Sequence, residues 1–473
     1  MDHHATTEEH AKSGVYHRYH IHTVEAPDRE RWPSRFNVHV RKAGLAKLLI
    51  KEVFHYGPQN KDVILSRPCV YGVFGGPVGG FAPREEKCVG CLRCTTEFPD
   101  FVRIEHNPAR RALGDSYFAF GYVDAISYEA ASGLIPVKGA GYRGGFGGEG
   151  WDGMWTDMSE IVRPTRDGIH GREFISTVVD IGYTPNFLEF DERGRSAGSP
   201  PRTFSIPLPM LFDAPPASVR DAALPRALAS AATELGNLAF LPVAALAGLG
   251  EEKLAVAPLV APGDDLAAID YQPRLIAMDG WDAKLHQELS DKFPHALIAL
   301  RTAFDDPDLL AYFTAGVRVF HLTANYHGRG EQGDFVLDLI RAAHKRFVDE
   351  GIRQEVTLLG SGGIIAAEHV PKAIICGLDA VVLDTPLLVA LQANFNDECL
   401  DRSTSEFQLP RLDAAWGAQR LQNLMASWRD QLLEILGAMG LREVRRLRGE
   451  MGRAMFMKTL EADAFAGIEG YHG

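Results

Sequence analysis

Cys88, Cys91 and Cys94 stand in the run Lys87-Cys88-Val89-Gly90-Cys91-Leu92-Arg93-Cys94-Thr95-Thr96-Glu97-Phe98-Pro99. Three thiolates at spacing three and three can wrap one face of an iron–sulfur cube. The trailing proline completes the ligand run C-x2-C-x2-C-x3-C-P, with phenylalanine in the fourth place. In proteins with two clusters that fourth cysteine serves the other cluster, so Phe98 argues for one cluster only. A zinc loop or buried free thiols is the plainer reading of the same residues. Cys69 (in Arg67-Pro68-Cys69-Val70) is the other cysteine of this segment, and its short chain path makes it the expected fourth ligand of a 4Fe-4S cluster. Without it a 3Fe-4S centre or a non-cysteine ligand follows, and the remaining thiols are Cys376 and Cys399.

A second set of residues suits an anion. Gly360-Ser361-Gly362-Gly363-Ile364 closes one apolar run, and Asp384-Thr385-Pro386 closes the next. Paired glycines let main-chain N–H groups approach a phosphate, and Thr385 adds a hydroxyl; ordinary turn glycines are the plainer reading.

Such residues need a scaffold. Short apolar β-type runs begin near residue 205: Ile206–Phe212, Leu238–Val243, Leu254–Val260, Leu275–Met278, Ala296–Leu300, Val317–Leu322, Val356–Leu359 and Ala380–Leu383. Helical stretches follow most of them, among them His286–Phe293, Pro307–Thr314, Phe335–Phe347 and Glu368–Cys376. Eight β-then-α units predict an α/β fold, a (β/α)8 TIM barrel. Pro207 and Pro209 make the first strand a poor one on propensity alone. The glycine pair then lies after strands seven and eight, where such barrels commonly bind phosphate.

Around the barrel the chain divides into a lead-in over 1–65 with a helix at Ala43–Phe54, a cysteine segment over 66–112, an irregular connection over 113–204, the barrel over 205–395 and a helical cap over 396–473. In the cap, Leu421, Leu424, Met425, Trp428, Leu432, Ile435, Leu436 and Met439 share one helix face. Six histidines within the first 22 residues read as a polar arm more readily than as a metal site.

Composition narrows the function. Hydrophobic content of 46%, charged content of 23% and a net charge of −13 with no basic block describe a soluble globular chain and argue against nucleic acid. No apolar run has the length of a membrane span, and Met1-Asp2-His3-His4 carries no signal-peptide core. Six cysteines, half of them clustered, suit a reducing compartment, so a cytoplasmic location is expected.

Residues from about 205 to 465 resemble the FMN-binding domain of glutamate synthase in a variant form. The resemblance rests on Gly360–Ile364, on the following Glu368–Gly377 stretch and on Asp384-Thr-Pro-Leu-Leu-Val-Ala390. Thr156–Glu173 also looks like the segment leading into that barrel in glutamate-synthase-related proteins, and the cysteine segment is ferredoxin-like. The resemblance implies FMN in the barrel mouth, with contacts from Asp213, Ala214, Arg301, Ser361, Gly362, Gly363, Ile364, Asp384 and Thr385. It further implies electron exchange with an iron–sulfur centre, hence an electron-carrier protein or the other subunits of a redox complex as partners, an oligomeric assembly and a small-molecule second substrate.

The departures are informative. Glutamate synthase carries its cluster cysteines after the eighth strand, where this chain has Cys399; the upstream cysteines would replace that centre. Where the family has a lysine facing reduced flavin, the fifth strand offers Arg301, which keeps a positive charge but cannot release a proton. The loop Thr323–Gln332 differs from the family's oxo-acid pocket and puts glutamate formation in question. His170, within the charge-dense stretch Asp157–Glu173, is the expected proton donor, an ion-pair hub being the structural alternative. Two functions follow: a flavin-dependent oxidoreductase, or a non-catalytic electron-relay or structural subunit.

Overall fold

Strands buried on both faces read as largely apolar runs, and the barrel strands do. Met210–Phe212 (β1), Ala239–Pro242 (β2), Val256–Val260 (β3), Leu275–Asp279 (β4), Leu297–Ala303 (β5), Val319–Thr323 (β6), Thr357–Ser361 (β7) and Ala380–Leu383 (β8) form one closed parallel barrel in chain order. Val381 opposite Met210 closes it, β8 against β1. Every residue of β1, β3, β7 and β8 is buried. The computed structural model describes residues 19–30, 32–66, 69–76, 79–136, 150–156, 175–187, 189–196 and 202–470. His170 and most of the charge-dense stretch around it lie outside the described residues.

Two expectations need correction. The run Ile206–Phe212 is not one strand: Arg202–Ile206 pairs antiparallel with Val179–Tyr183, and the barrel strand begins at Met210. Pro207 and Pro209 between them have no N–H for a ladder, so the chain changes partners there. The β-then-α repeat also holds only in part. Helices follow β1 (Leu224–Leu235) and β4 to β8, whereas β2 and β3 are followed by 3-10 turns at Val243–Gly248, Glu251–Ala255 and Leu266–Ala268.

The chain divides into two compact units. The larger comprises Met1–Pro27, Glu129–Ile135 and Gly147–Gly473, and so holds the barrel and the cap. Its long helix Ala414–Ala438 starts on Asp413, whose carboxylate accepts the Trp416 N–H. Leu421, Leu424, Met425, Trp428, Leu432 and Leu436 are buried, the face read from the sequence, and this helix lies on Leu224–Leu235. Asn423 on it donates to the carbonyls of Val24 (2.8 Å) and Ala130 (2.9 Å), tying two distant segments to the barrel's flank. Asn423→Ala strands those buried carbonyls, so we expect a loss of about 2 kcal/mol in stability, read from the urea midpoint.

The smaller unit comprises Asp28–Tyr128 and Pro136–Phe146. Phe36–Val40 pairs antiparallel with Val102–His106, which makes the lead-in and the cysteine segment one folded body. The expected helix is present as Lys42–Tyr56. Phe36, Val38, Val73, Phe74 and Val102 form the core, and Cys88 and Cys94 are packed within it. No helix among the described residues is long and apolar enough to cross a membrane.

Candidate cysteine cluster and barrel mouth

In the smaller unit the loop through Cys88 and Cys91 is wound by two residues in the left-handed region, Gly90 (φ 71°) and Leu92 (φ 58°). A Cβ at Gly90 would stand 2.3 Å from the Phe36 ring, so glycine is required there. Cys88 and Cys94 are buried, Cys69 is half-buried and Cys91 is exposed. Burial pushes the Cys94 thiol up to about 11, and the neighbouring Cys69, Cys88 and Cys91 push the same way. Cys88 is raised by burial first, with Cys69 and Cys91 adding, while a hydrogen bond from the Gly90 N–H favours its thiolate. Four sulfurs therefore sense one another's charge, Cys69 included. Among the described residues no three of these sulfurs lie within 4.8 Å of one another.

In the larger unit the strand ends of the barrel converge on Arg402, carried by the hairpin of Asn394–Asn396 and Glu406–Gln408. Its guanidinium donates to Asp213 Oδ2 (2.9 Å) after β1, to the Ala324 carbonyl (2.8 Å) after β6, to Ser361 Oγ (3.1 Å) at the end of β7 and to Asp384 Oδ2 (2.6 Å) after β8. The same group lies 4.9 Å over the Tyr326 ring. Asp384 Oδ1 accepts the N–H of Thr385 (2.6 Å) and its hydroxyl (3.0 Å). Arg301 sits loosely on Asp213 (3.6 Å) and Asp279 (3.5 Å) at the barrel mouth. Its buried Nε has no hydrogen-bond partner. His321 Nε2 meets Ser361 Oγ at 3.1 Å, its ring stacks on Phe240, and its Nδ1 is buried without a partner.

Charge sorts these groups. Burial works to raise the Asp213 carboxyl, but Arg301 and then Arg402 outweigh it and hold the carboxyl below its usual range. Asp384 goes the other way: burial raises it, and Asp213 adds to the rise against Arg402. Burial drives His321 down to about 3, with Arg301 and Arg402 acting in the same direction, so this imidazole is neutral at pH 7.

The glycine pair has a different setting from the one anticipated. Gly362 (φ 102°) and Gly363 (φ 71°) do turn the chain after β7. A Cβ on Gly362 would meet the carbonyl oxygens of Asn325 (2.6 Å) and Ala324 (2.7 Å), so the main chain it admits is that of the loop after β6. The Gly363 carbonyl accepts the indole N–H of Trp151 at 2.8 Å. The cavity bounded by Asp213, Ala214, Tyr326 and Asp384 measures about 10 Å³, room for about one water. Sites for ligands of flavin size span roughly 300–1,000 Å³. This cavity is therefore not itself a flavin site, and its lining does not include Arg301, Ser361 or the glycine pair.

Residues 326–442 match the family model for the conserved region in glutamate synthase. Over that stretch the chain is similar to the glutamate synthases. The archaeal-type glutamate synthase (NADPH) of Dehalococcoides mccartyi is 24% identical over 442 residues, covering 77% of this chain and 86% of that protein. The archaeal glutamate synthase (NADPH) of Methanocaldococcus jannaschii is 36% identical over 121 residues, 24% of each chain. Among solved structures, the flavin-binding domain of baker's yeast flavocytochrome b2 superposes with a TM-score of 0.40 at 13% identity, over 62% of this chain and 78% of that one.

The chain thus brings Asp213, Ala214, Arg301, Ser361, Asp384 and Thr385 to one mouth, and Cys69, Cys88, Cys91 and Cys94 to one place in the other unit. Cys376 is buried beside Met154, and Cys399 lies in the barrel-side hairpin, so both belong to the larger unit. Sequence reasoning missed Arg402, His321 and Tyr326. Arg402 lies in an irregular loop with no motif around it, and His321 is a single polar residue inside an apolar strand; neither spacing carries a signal.

Proposed function

We propose that this chain is an iron–sulfur oxidoreductase that exchanges electrons between one 4Fe-4S cluster on Cys69, Cys88, Cys91 and Cys94, FMN at the barrel mouth, and a small second substrate. The observation that carries the reading is the convergence of four sulfurs, two of them buried, on the spacing of an iron–sulfur ligand run. Similarity to the glutamate synthases supports the flavin, and so does Arg301, a cation at the carboxyl end of β5 with an unpartnered buried N–H. In this reading Arg301 faces the flavin ring and His170 supplies a proton to the substrate. Partner subunits or an electron-carrier protein complete the electron path.

A second reading is favoured by one specific observation. The Arg402 ion cluster, which ties Asp213, Ser361 and Asp384 together at the strand ends, suits a chain that keeps the cluster and the fold as an electron relay without barrel chemistry. Iron, sulfide and flavin analysis of anaerobically prepared protein separates the two. One cluster with FMN at comparable stoichiometry supports the oxidoreductase, one cluster without flavin supports the relay, and no iron refutes both.

A further inference from the structure

Among the described residues at the mouth, Asp213, Asp279 and Asp384 stand against Arg301 and Arg402. Both guanidiniums already have carboxylate partners, so a phosphorylated ligand must displace a carboxylate or be excluded. The two carboxylates are not equally held. Asp213 is shared by both arginines, whereas Asp384 has Arg402 alone and loses further to burial and to Asp213. Arg402 reaches groups at four strand ends through three nitrogens of its fork, the rigid multi-donor geometry that suits carboxylate and phosphate alike. Beside it stand two buried groups without a hydrogen-bond partner, Arg301 Nε and His321 Nδ1.

Resting on the flavin reading above, we propose that Arg402 is the anion-recognising residue of the barrel mouth and that Asp384 occupies it in place of a ligand phosphate. A phosphorylated flavin then binds only when Arg402 exchanges the Asp384 carboxylate for the phosphate. The native chain is accordingly a self-inhibited binder. Asp384→Asn keeps an oxygen to accept the Thr385 N–H but withdraws the negative charge from Arg402.

The test is equilibrium binding of FMN and of riboflavin to the full flavin-free chain, followed by flavin fluorescence, for native protein, Asp384→Asn and Arg402→Gln. Freeing one charge-assisted partner should tighten FMN binding by Asp384→Asn about ten- to hundredfold. Riboflavin, which has no phosphate, should be unaffected. Arg402→Gln should lose the preference for FMN over riboflavin. A gain of affinity cannot arise from misfolding, so the asparagine variant keeps the test sharp. Unchanged or weaker FMN binding by Asp384→Asn, or an equal gain for riboflavin, overturns the proposal while leaving the flavin reading intact. Absence of binding of either flavin to any of the three folded proteins overturns both.

Discussion

A chain carrying Cys69→Ala is expected to lose the reduced 4Fe-4S signal of the native protein and to show a 3Fe-4S centre when oxidised. Three thiolates remain in Cys88, Cys91 and Cys94, and three hold a cube that has lost one corner. Cys88→Ala or Cys94→Ala should go further and abolish iron retention, because each removes a buried sulfur from the core formed by Phe36, Val38, Val73, Phe74 and Val102. Electron paramagnetic resonance with iron counts reads both outcomes. An unchanged 4Fe-4S signal in Cys69→Ala would exclude Cys69. The remaining thiols, Cys376 and Cys399, are buried in the larger unit, Cys376 with its thiol raised by burial to about 12.

Asp379→Ala should destabilise the larger unit by about 3–5 kcal/mol, the usual cost of leaving a buried charge without its partner. Asp379 lies between Arg353 (2.8 Å) and Arg448 (2.6 Å) and also accepts the Leu358 N–H (2.7 Å) at the start of β7. Arg353 is itself buried, donating to Val356 O, Gly377 O and His344 Nδ1. Removing Asp379 therefore strands a guanidinium beneath the barrel. Urea denaturation measures the loss, and a change below about 1 kcal/mol would show that water reaches Arg353 as it reaches an exposed pair. The pH response follows from the same cluster. Burial opposes ionisation of Asp379, but Arg353 and Arg448 prevail and lower its pKa, so its contribution is present above the ordinary carboxylate value and is lost as pH falls through the lowered one. Burial, with Arg353 and Arg448, takes His344 down to about 4. Its unfolded form binds protons first, so stability declines as pH falls from about 6.5 towards 4. Asp379→Ala should flatten the acid limb that belongs to the carboxylate.

The barrel was legible because parallel strands buried on both faces read as largely apolar runs, and six of the eight fall within a residue or two of their runs, the fifth running three residues further to Ala303. The first differs at Pro207 and Pro209, where the apolar pattern continues across a change of hydrogen-bonding partner. Apolar pattern reports burial and is blind to which strand supplies the ladder. The connections after β2 and β3 had no helical period, and their 3-10 turns leave none to find. At the mouth, Asp213, Arg301, Ser361 and Asp384 entered through the resemblance to the glutamate synthase barrel, and they lie at or beside the carboxyl ends of their strands. Arg402 could not be placed, since its position depends on how a hairpin folds back over the barrel, and nothing local in Asp397–Ser405 encodes that. The glycine pair shows the opposite limit: its two positive φ values were legible, but not that the backbone it admits is the chain's own.

Electron exchange between a cluster and a flavin in one chain is the claim on which the rest depends, and an anaerobic reductive titration tests it most directly. Absorbance and paramagnetic resonance are followed together on protein prepared without oxygen and supplied with FMN. The account predicts one reduced 4Fe-4S signal per chain, with the bound flavin bleaching in the same titration and reoxidising the cluster when oxidised flavin is added to reduced protein. A chain that binds no iron, or a cluster that stays reduced in the presence of bound oxidised FMN, would contradict it.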